Sequence, residues 1–268
     1  MKPSVLVAVG CSWVAGKSID CDPAVTTHDF EHVEDPAFVA ENSFAGRLQK
    51  SLELDQLHFI ARNGASNEEQ VRKLINFVKA HKDEYSKIFV LWGITSIYRW
   101  EMYSNTTEQI EPCIWGRFYK NKDLSEEATY HFKHFWNKEY ELEKLGNQVT
   151  TLDAYLTAND IKHLFFNSFQ SYNIEDLKFN NDNLFYKVKE TNNDMLSFLC
   201  QKNNVKISNS SVPWLNLLKP TMAQTYPNRA VKELQRIGCL DNATAHPTVS
   251  AHKLIADELY NYIKEKQQ

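Results

Sequence analysis

Short apolar runs alternate along this chain with longer stretches in which apolar residues recur at helical spacing. Apolar runs bounded by turn formers are strands covered on both faces, so the alternation predicts βα units and a parallel sheet. The predicted strands are Ser4–Val9, Leu57–Ala61, Lys87–Trp92, His163–Asn167 and Val205–Ser208. Helices are predicted near Asn42–Leu52, Asn67–Ala80, Phe132–Ala158, Thr191–Gln201 and Thr248–Lys264. In the second half of the third helix, Leu142, Leu145, Val149, Leu152 and Leu156 form one apolar stripe, which reads as core packing. The expected fold class is α/β with a mainly parallel sheet of about five strands, in one domain over residues 1–268. Three inserts interrupt it: an acidic, polar one near 18–35, an aromatic and irregular one near 98–130, and one rich in Asn and Asp near 168–189. Long loops beyond the C-terminal ends of parallel strands commonly build the binding site, so specificity is expected there.

Composition narrows the function classes. A hydrophobic fraction of 43% with 24% charged residues is that of an ordinary globular chain, which excludes a disordered one. The net charge of −4 gives no positive field to draw the protein to nucleic acid or anionic lipid. Five cysteines, widely spaced and without a CxxC pair, suggest reduced thiols in a cytoplasm rather than a zinc site or redox dithiol. The apolar stretch Val5 to Val9 is too short for a signal-peptide core or a membrane span, and a buried first strand explains it.

Four segments carry candidate chemistry. The first strand runs into Gly10-Cys11-Ser12-Trp13, placing Ser12 on the turn that leaves the sheet, where a serine oxygen can be exposed and backbone N–H groups can face a developing oxyanion. Near the other end, Asp241 and His246 precede Pro247 and a terminal amphipathic helix, so His246 lies on a loop with a carboxylate close in sequence. His252 falls inside that helix and reads as structural. Between them, Asn63-Gly64-Ala65-Ser66-Asn67 follows the second strand and Trp92-Gly93-Ile94-Thr95-Ser96 the third. Both are glycine turns at strand ends, and each also admits an ordinary reading as a βα turn in which Ser66 or Asn67 caps the next helix.

Taken in order, these segments resemble the SGNH (GDSL-like) hydrolase family. The resemblance implies a flavodoxin-like three-layer α/β/α sandwich that cleaves ester or related acyl bonds, often on carbohydrates or lipids, without metal or cofactor. It implies Ser12 as nucleophile and His246 as general base, with Asp241 or a backbone carbonyl orienting the ring. The oxyanion would fall to the backbone N–H groups of Ser12 and Gly64 and to the side chain of Asn67 or Thr95. Two positions depart from the family pattern: Thr95 stands where the third block usually has Asn, and Ala243 where the last block usually has Asp. Trp13, Trp92, Tyr98 and Trp100 are candidate substrate-binding aromatics, and the insert also holds Tyr103, Trp115, Phe118 and Tyr119.

Two other readings compete. A catalytically impaired member of the same fold would need only the aromatic surface, as a carbohydrate-binding or structural protein. Gly10 to Ser18 also comes near a nucleotide-binding P-loop, but five residues separate its glycines where four are needed, and Asp20-Cys21-Asp22-Pro23 follows where a helix is required. His28, Asp29, Glu31 and His32 form an acidic cluster that reads as a solvated face rather than a metal site. The expectation is therefore an SGNH-type esterase acting through an acyl-enzyme on a small-molecule or carbohydrate ester, such as an O-acetyl ester, with no nucleic-acid or membrane partner.

Overall fold

The computed structural model describes residues 2–17, 19–20, 35–104, 108–114, 122–169, 172, 177, 179, 183–185, 194–206, 229–242 and 245–266. The order of elements is β1 (Ser4–Gly10), α1 (Pro36–Asn42), α2 (Phe44–Ser51), β2 (Gln56–Ala61), α3 (Asn67–His81), β3 (Lys87–Ile94), β4 (Arg99–Ser104), β5 (Gln109–Ile114), α4 (Lys122–His134) and α5 (Lys138–Ala158). There follow β6 (Lys162–Asn167), β7 (Leu184–Phe185), α6 (Met195–Lys202), α7 (Arg229–Arg236) and α8 (Val249–Lys266).

Five strands form one parallel sheet in the order β2-β1-β3-β6-β7. This is the flavodoxin-like doubly wound order, in which the chain reverses direction across the sheet between β1 and β3. Side chains alternate across the pleat. Leu6 and Ala8 of β1, Phe89 and Leu91 of β3, and Leu164 and Phe166 of β6 pack with α2, α6, α7 and α8 on one face. Val5, Val7 and Val9, together with Val90, Trp92 and Phe165, pack with α3 and α5 on the other. The two buried clusters make the three layers, and truncating a fully buried leucine such as Leu6 or Leu91 to Ala would cost about 2–5 kcal/mol.

The structure corrects several element boundaries. The helix expected over Asn42–Leu52 is α2, and a separate helix α1 precedes it: Ser43 ends α1 and caps α2 by accepting from Gly46 N–H. Asp35 and Pro36 start α1 ahead of the expected span. The helix expected over Phe132–Ala158 divides in two, with Asn137 capping α5. The aromatic insert is not irregular throughout: β4 and β5 form an antiparallel pair that α4 covers through Trp100, Cys113 and Ala128. Val205 is not in a strand, since its N–H donates to Cys200 O and closes the end of α6; 207–208 lie outside the described residues. The fifth strand is instead β7, paired with Phe165 and Phe166. Among the described residues, no helix is long and apolar enough to cross a membrane. The His28–His32 cluster, Cys21, Trp115, Phe118, Tyr119 and Ala243 lie outside the described residues.

Candidate active site

In a doubly wound sheet the crevice opens beyond the C-terminal ends of the strands where the winding reverses, here β1 and β3. Ser12 stands two residues past the end of β1, and Thr95 follows directly on β3. The turn after β1 folds tightly back, with Val14 and Ala15 N–H both donating to Cys11 O and Lys17 N–H to Ser12 O. Two glycines permit this. A Cβ on Gly10 would lie 2.8 Å from Val14 Cβ and 3.2 Å from the Gly93 carbonyl oxygen, and one on Gly93 would lie 2.6 Å from Val14 Cγ2. Val14 can therefore settle over both strand ends only where neither carries a side chain. Ile19 and Asp20 continue as a turn, and the next described helix starts at Pro36, so the helix that a P-loop requires does not follow Lys17 directly.

Gly64 takes a left-handed conformation (φ +80) in the turn after β2, which glycine adopts without strain. That turn is pinned from both sides. Ser66 caps α3 by accepting from Glu69 N–H, and Arg62 before the turn holds the Glu69 carboxylate, with Arg62 Nη2 to Glu69 Oε2 at 2.6 Å. Lys73 completes the cluster 2.7 Å away. Burial alone pushes the Glu69 carboxyl upward, yet hydrogen bonds and charge from Arg62 and Lys73 outweigh it and hold the group below its ordinary value.

Asn67 does something other than face a substrate with its whole carboxamide. Its Oδ1 accepts from Thr95 N–H at 2.8 Å and its Nδ2 donates to Thr95 O at 3.0 Å, so it clamps the β3 loop to the start of α3. Tyr172 donates to the same Thr95 carbonyl and accepts from Ile97 N–H, each at 2.8 Å. The backbone of Thr95 is thus fixed on three sides. Its hydroxyl is buried and has no hydrogen-bond partner among the described residues.

His246 belongs to a strap closed on itself. Leu240 and Pro247 form an antiparallel bridge, Asp241 N–H donates to His246 O, and Ala245 takes a left-handed conformation (φ +57) to complete the reversal. The Asp241 carboxylate accepts from His246 backbone N–H at 2.7 Å, whereas its distance to the ring Nδ1 is 4.0 Å. Asp241 therefore shapes the strap through the backbone of His246, and its carboxylate lies 4.0 Å from the ring Nδ1. His252, one turn into α8, accepts from Phe44 N–H at Nδ1 and stacks on the Phe44 ring. Burial, joined by the charges of His246 and Arg47, pushes its pKa down to about 3. Ala245 in the strap and Cys11 and Trp13 beside Ser12 share one buried cluster on the same face of the sheet.

The four aromatic residues expected to bind substrate are all buried, and none presents an open face. Trp92 is fully enclosed, its indole N–H donating to Gln70, and it is part of the core. Tyr98 stacks on Trp136, Trp100 on His131, and Trp13 packs against Phe169. Exposed rings lie elsewhere, among them Tyr103, Tyr130, Phe135 and Tyr140. Among the described residues, no group of three or more His, Cys, Asp or Glu side chains is arranged to hold a metal.

No protein-family model matches the chain, and no curated protein matches it by sequence. Solved structures are similar to it over almost its whole length. One, from Desulfitobacterium hafniense DCB-2, is described as a lipolytic protein of the G-D-S-L family (10% identity, 97% of this chain and 99% of that one, TM-score 0.40). Another is an acetyl xylan esterase from the rumen bacterium Butyrivibrio proteoclasticus (12% identity, 99% of this chain and 64% of that one, TM-score 0.43). A third is a catalytic mutant of an acetylxylan esterase from Geobacillus stearothermophilus (13% identity, 98% and 96%, TM-score 0.38).

Proposed function

We propose that this protein is a serine esterase of the SGNH type that cleaves a small-molecule or carbohydrate ester, such as an O-acetyl ester, through an acyl-enzyme. The observation that carries the reading is the position of Ser12, on a glycine-dependent turn at the point where the sheet reverses its winding. The order of the four sequence segments supports the rest. Ser12 attacks the ester carbonyl while His246 takes its proton. The negative oxygen of the tetrahedral intermediate is held by the N–H groups of Ser12 and Gly64 and by the Thr95 hydroxyl, whose backbone Asn67 and Tyr172 already fix. Threonine thus takes the place of the family's usual asparagine as donor, and Asn67 acts as a positioning residue. The protonated His246 then gives its proton to the leaving alcohol, and water attacks the acyl-enzyme with His246 again as base.

Fluorophosphonate labelling read by intact-protein mass spectrometry tests this without knowledge of the substrate. The wild type should gain one adduct and Ser12→Ala none. If neither protein is labelled, the acyl-enzyme mechanism fails, and binding of acetylated glycans without turnover becomes the reading to test.

A further inference from the structure

Most buried charge in the described structure is answered locally. Glu69 has Arg62 and Lys73, Lys144 lies against Glu68 and Glu141, and His163 lies against Asp153. Arg99, a half-buried residue at the start of β4, is different. No carboxylate lies within ion-pair distance of it among the described residues, and its Nη1 is buried without a hydrogen-bond partner there. An arginine stays charged at any physiological pH, and a buried donor left unmade costs about 1–3 kcal/mol.

Its setting is also particular. The guanidinium carbon lies over the ring of Phe169, 5.0 Å from the centroid, and Phe169 in turn packs against Trp13, 5.8 Å away and next to Ser12. Arg99 N–H donates to Ser96 O, which anchors it to the loop that carries Thr95. A cation over an aromatic ring uses the face of the guanidinium and returns roughly 0.5–2 kcal/mol. The N–H groups in the plane are not used by that contact. They form a flat fork that matches two oxygens of a carboxylate.

We infer that Arg99 is a specificity residue that receives a carboxylate on the substrate, so that the preferred ester is one bearing a carboxylate in its acyl or its alcohol half. The inference rests on the esterase reading for the word substrate, though the carboxylate site itself stands on Arg99 and Phe169. Phe169 supports the guanidinium from below, and Trp13 links that support to the turn holding Ser12. A neutral ester would leave Nη1 buried and without a partner among the described residues. A charged one would replace that deficit with charge-assisted hydrogen bonds.

The test uses two matched pairs of esters: mono-4-nitrophenyl succinate against 4-nitrophenyl butyrate, and O-acetylated glucuronate against O-acetylated glucose. The readout is the ratio of kcat/KM for the charged over the neutral member, from which any loss of folded protein cancels. In the wild type one pair should favour the charged ester by about 10- to 100-fold, the range expected for hydrogen bonds to a charged group. Arg99→Gln should collapse that ratio to near one, and Arg99→Lys should keep part of it. Ratios near one for both pairs in the wild type, or a ratio that Arg99→Gln leaves unchanged, would overturn the inference. Should Ser12 resist labelling and no ester be cleaved, the esterase reading alone falls. Titration with glucuronate and succinate, followed by NMR in wild type and Arg99→Gln, then decides: saturable binding lost in the variant supports the carboxylate site, and no binding to the wild type refutes it.

Discussion

Two histidine–aspartate pairs differ in how they are made, and the better-made one is not the pair that the proposed mechanism uses. At the N-terminal edge of β6, His163 Nδ1 donates to Ile161 O at 2.8 Å, Nε2 meets Asp153 at 2.7 Å, and Asn183 joins the cluster by donating to the same carboxylate. Its ring is gripped at both nitrogens and buried. At the strap, Asp241 spends its short hydrogen bond on the backbone of His246 and stands 4.0 Å from the ring. A ring fixed at both nitrogens can brace β6 against α5 but has no nitrogen left to exchange a proton with a substrate. The short His163–Asp153 contact therefore marks a bracing pair, while the proposed mechanism gives the base role to His246 of the looser pair.

Exchanging the roles of the two histidines is the strongest way to break that contrast. His246→Gln should slow fluorophosphonate labelling of Ser12 by about 10³-fold or more, the scale for loss of a general base acting on serine, with little change in urea denaturation. His163→Gln should do the reverse, removing about 1–3 kcal/mol of stability because the buried ring's hydrogen bonds to Ile161 O and Asp153 are disrupted, while the labelling rate of the folded protein stays within a few fold. Stability loss in the first and labelling loss in the second would invert the assignment.

The pH dependence of stability brings in a third histidine. With its pKa pushed down to about 3, His252 stays neutral in the folded protein, whereas the unfolded chain takes up a proton below about 6.5. Its contribution is complete above that value and is lost as pH falls toward 3, with a slope of up to about 1.4 kcal/mol per pH unit. Urea midpoints at pH 7 and 4.5 should show this fall, and His252→Asn, which keeps an acceptor for Phe44 N–H but does not titrate, should flatten it. An unchanged slope would assign the acid sensitivity elsewhere. The smallest effect is expected of Asp241→Asn, less than a ten-fold loss of labelling rate. A loss near 10⁴, the scale for neutralising a carboxylate that orients a catalytic imidazole, would show that 4.0 Å understates the contact.

The four long parallel strands and the last helix were legible because a strand covered on both faces must be an unbroken apolar run, and those of β1 and β3 are. Ser43 and Asn137 were not read as breaks, since each caps a helix from within a run that is periodic on both sides. The β4–β5 pair escaped notice because no glycine turn announces it and Pro112 lies in the second strand. At the candidate site, Ser12 and His246 were picked out by their place next to a strand and a helix. Asn67 was read as an oxyanion donor or a helix cap, and its engagement with Thr95 was not legible because it joins residues 28 apart in sequence. Arg99 left no trace at all. Its interest lies in a buried N–H with no partner among the described residues, which only the folded arrangement can reveal.

The contact between α2 and α8, made by Phe44 N–H on His252 and the stacking of their rings, has a bearing on timing. Every strand of the sheet precedes α8 in the chain, so during synthesis the Ser12 turn can form on a finished sheet before the strap and its helix have been made. In the proposed mechanism the nascent protein thus carries its serine in an inert state and gains a base only when α8 docks. A form cut between α7 and α8 should accordingly regain labelling when a peptide containing the strap and α8 is added back, as two fragments that are each silent alone.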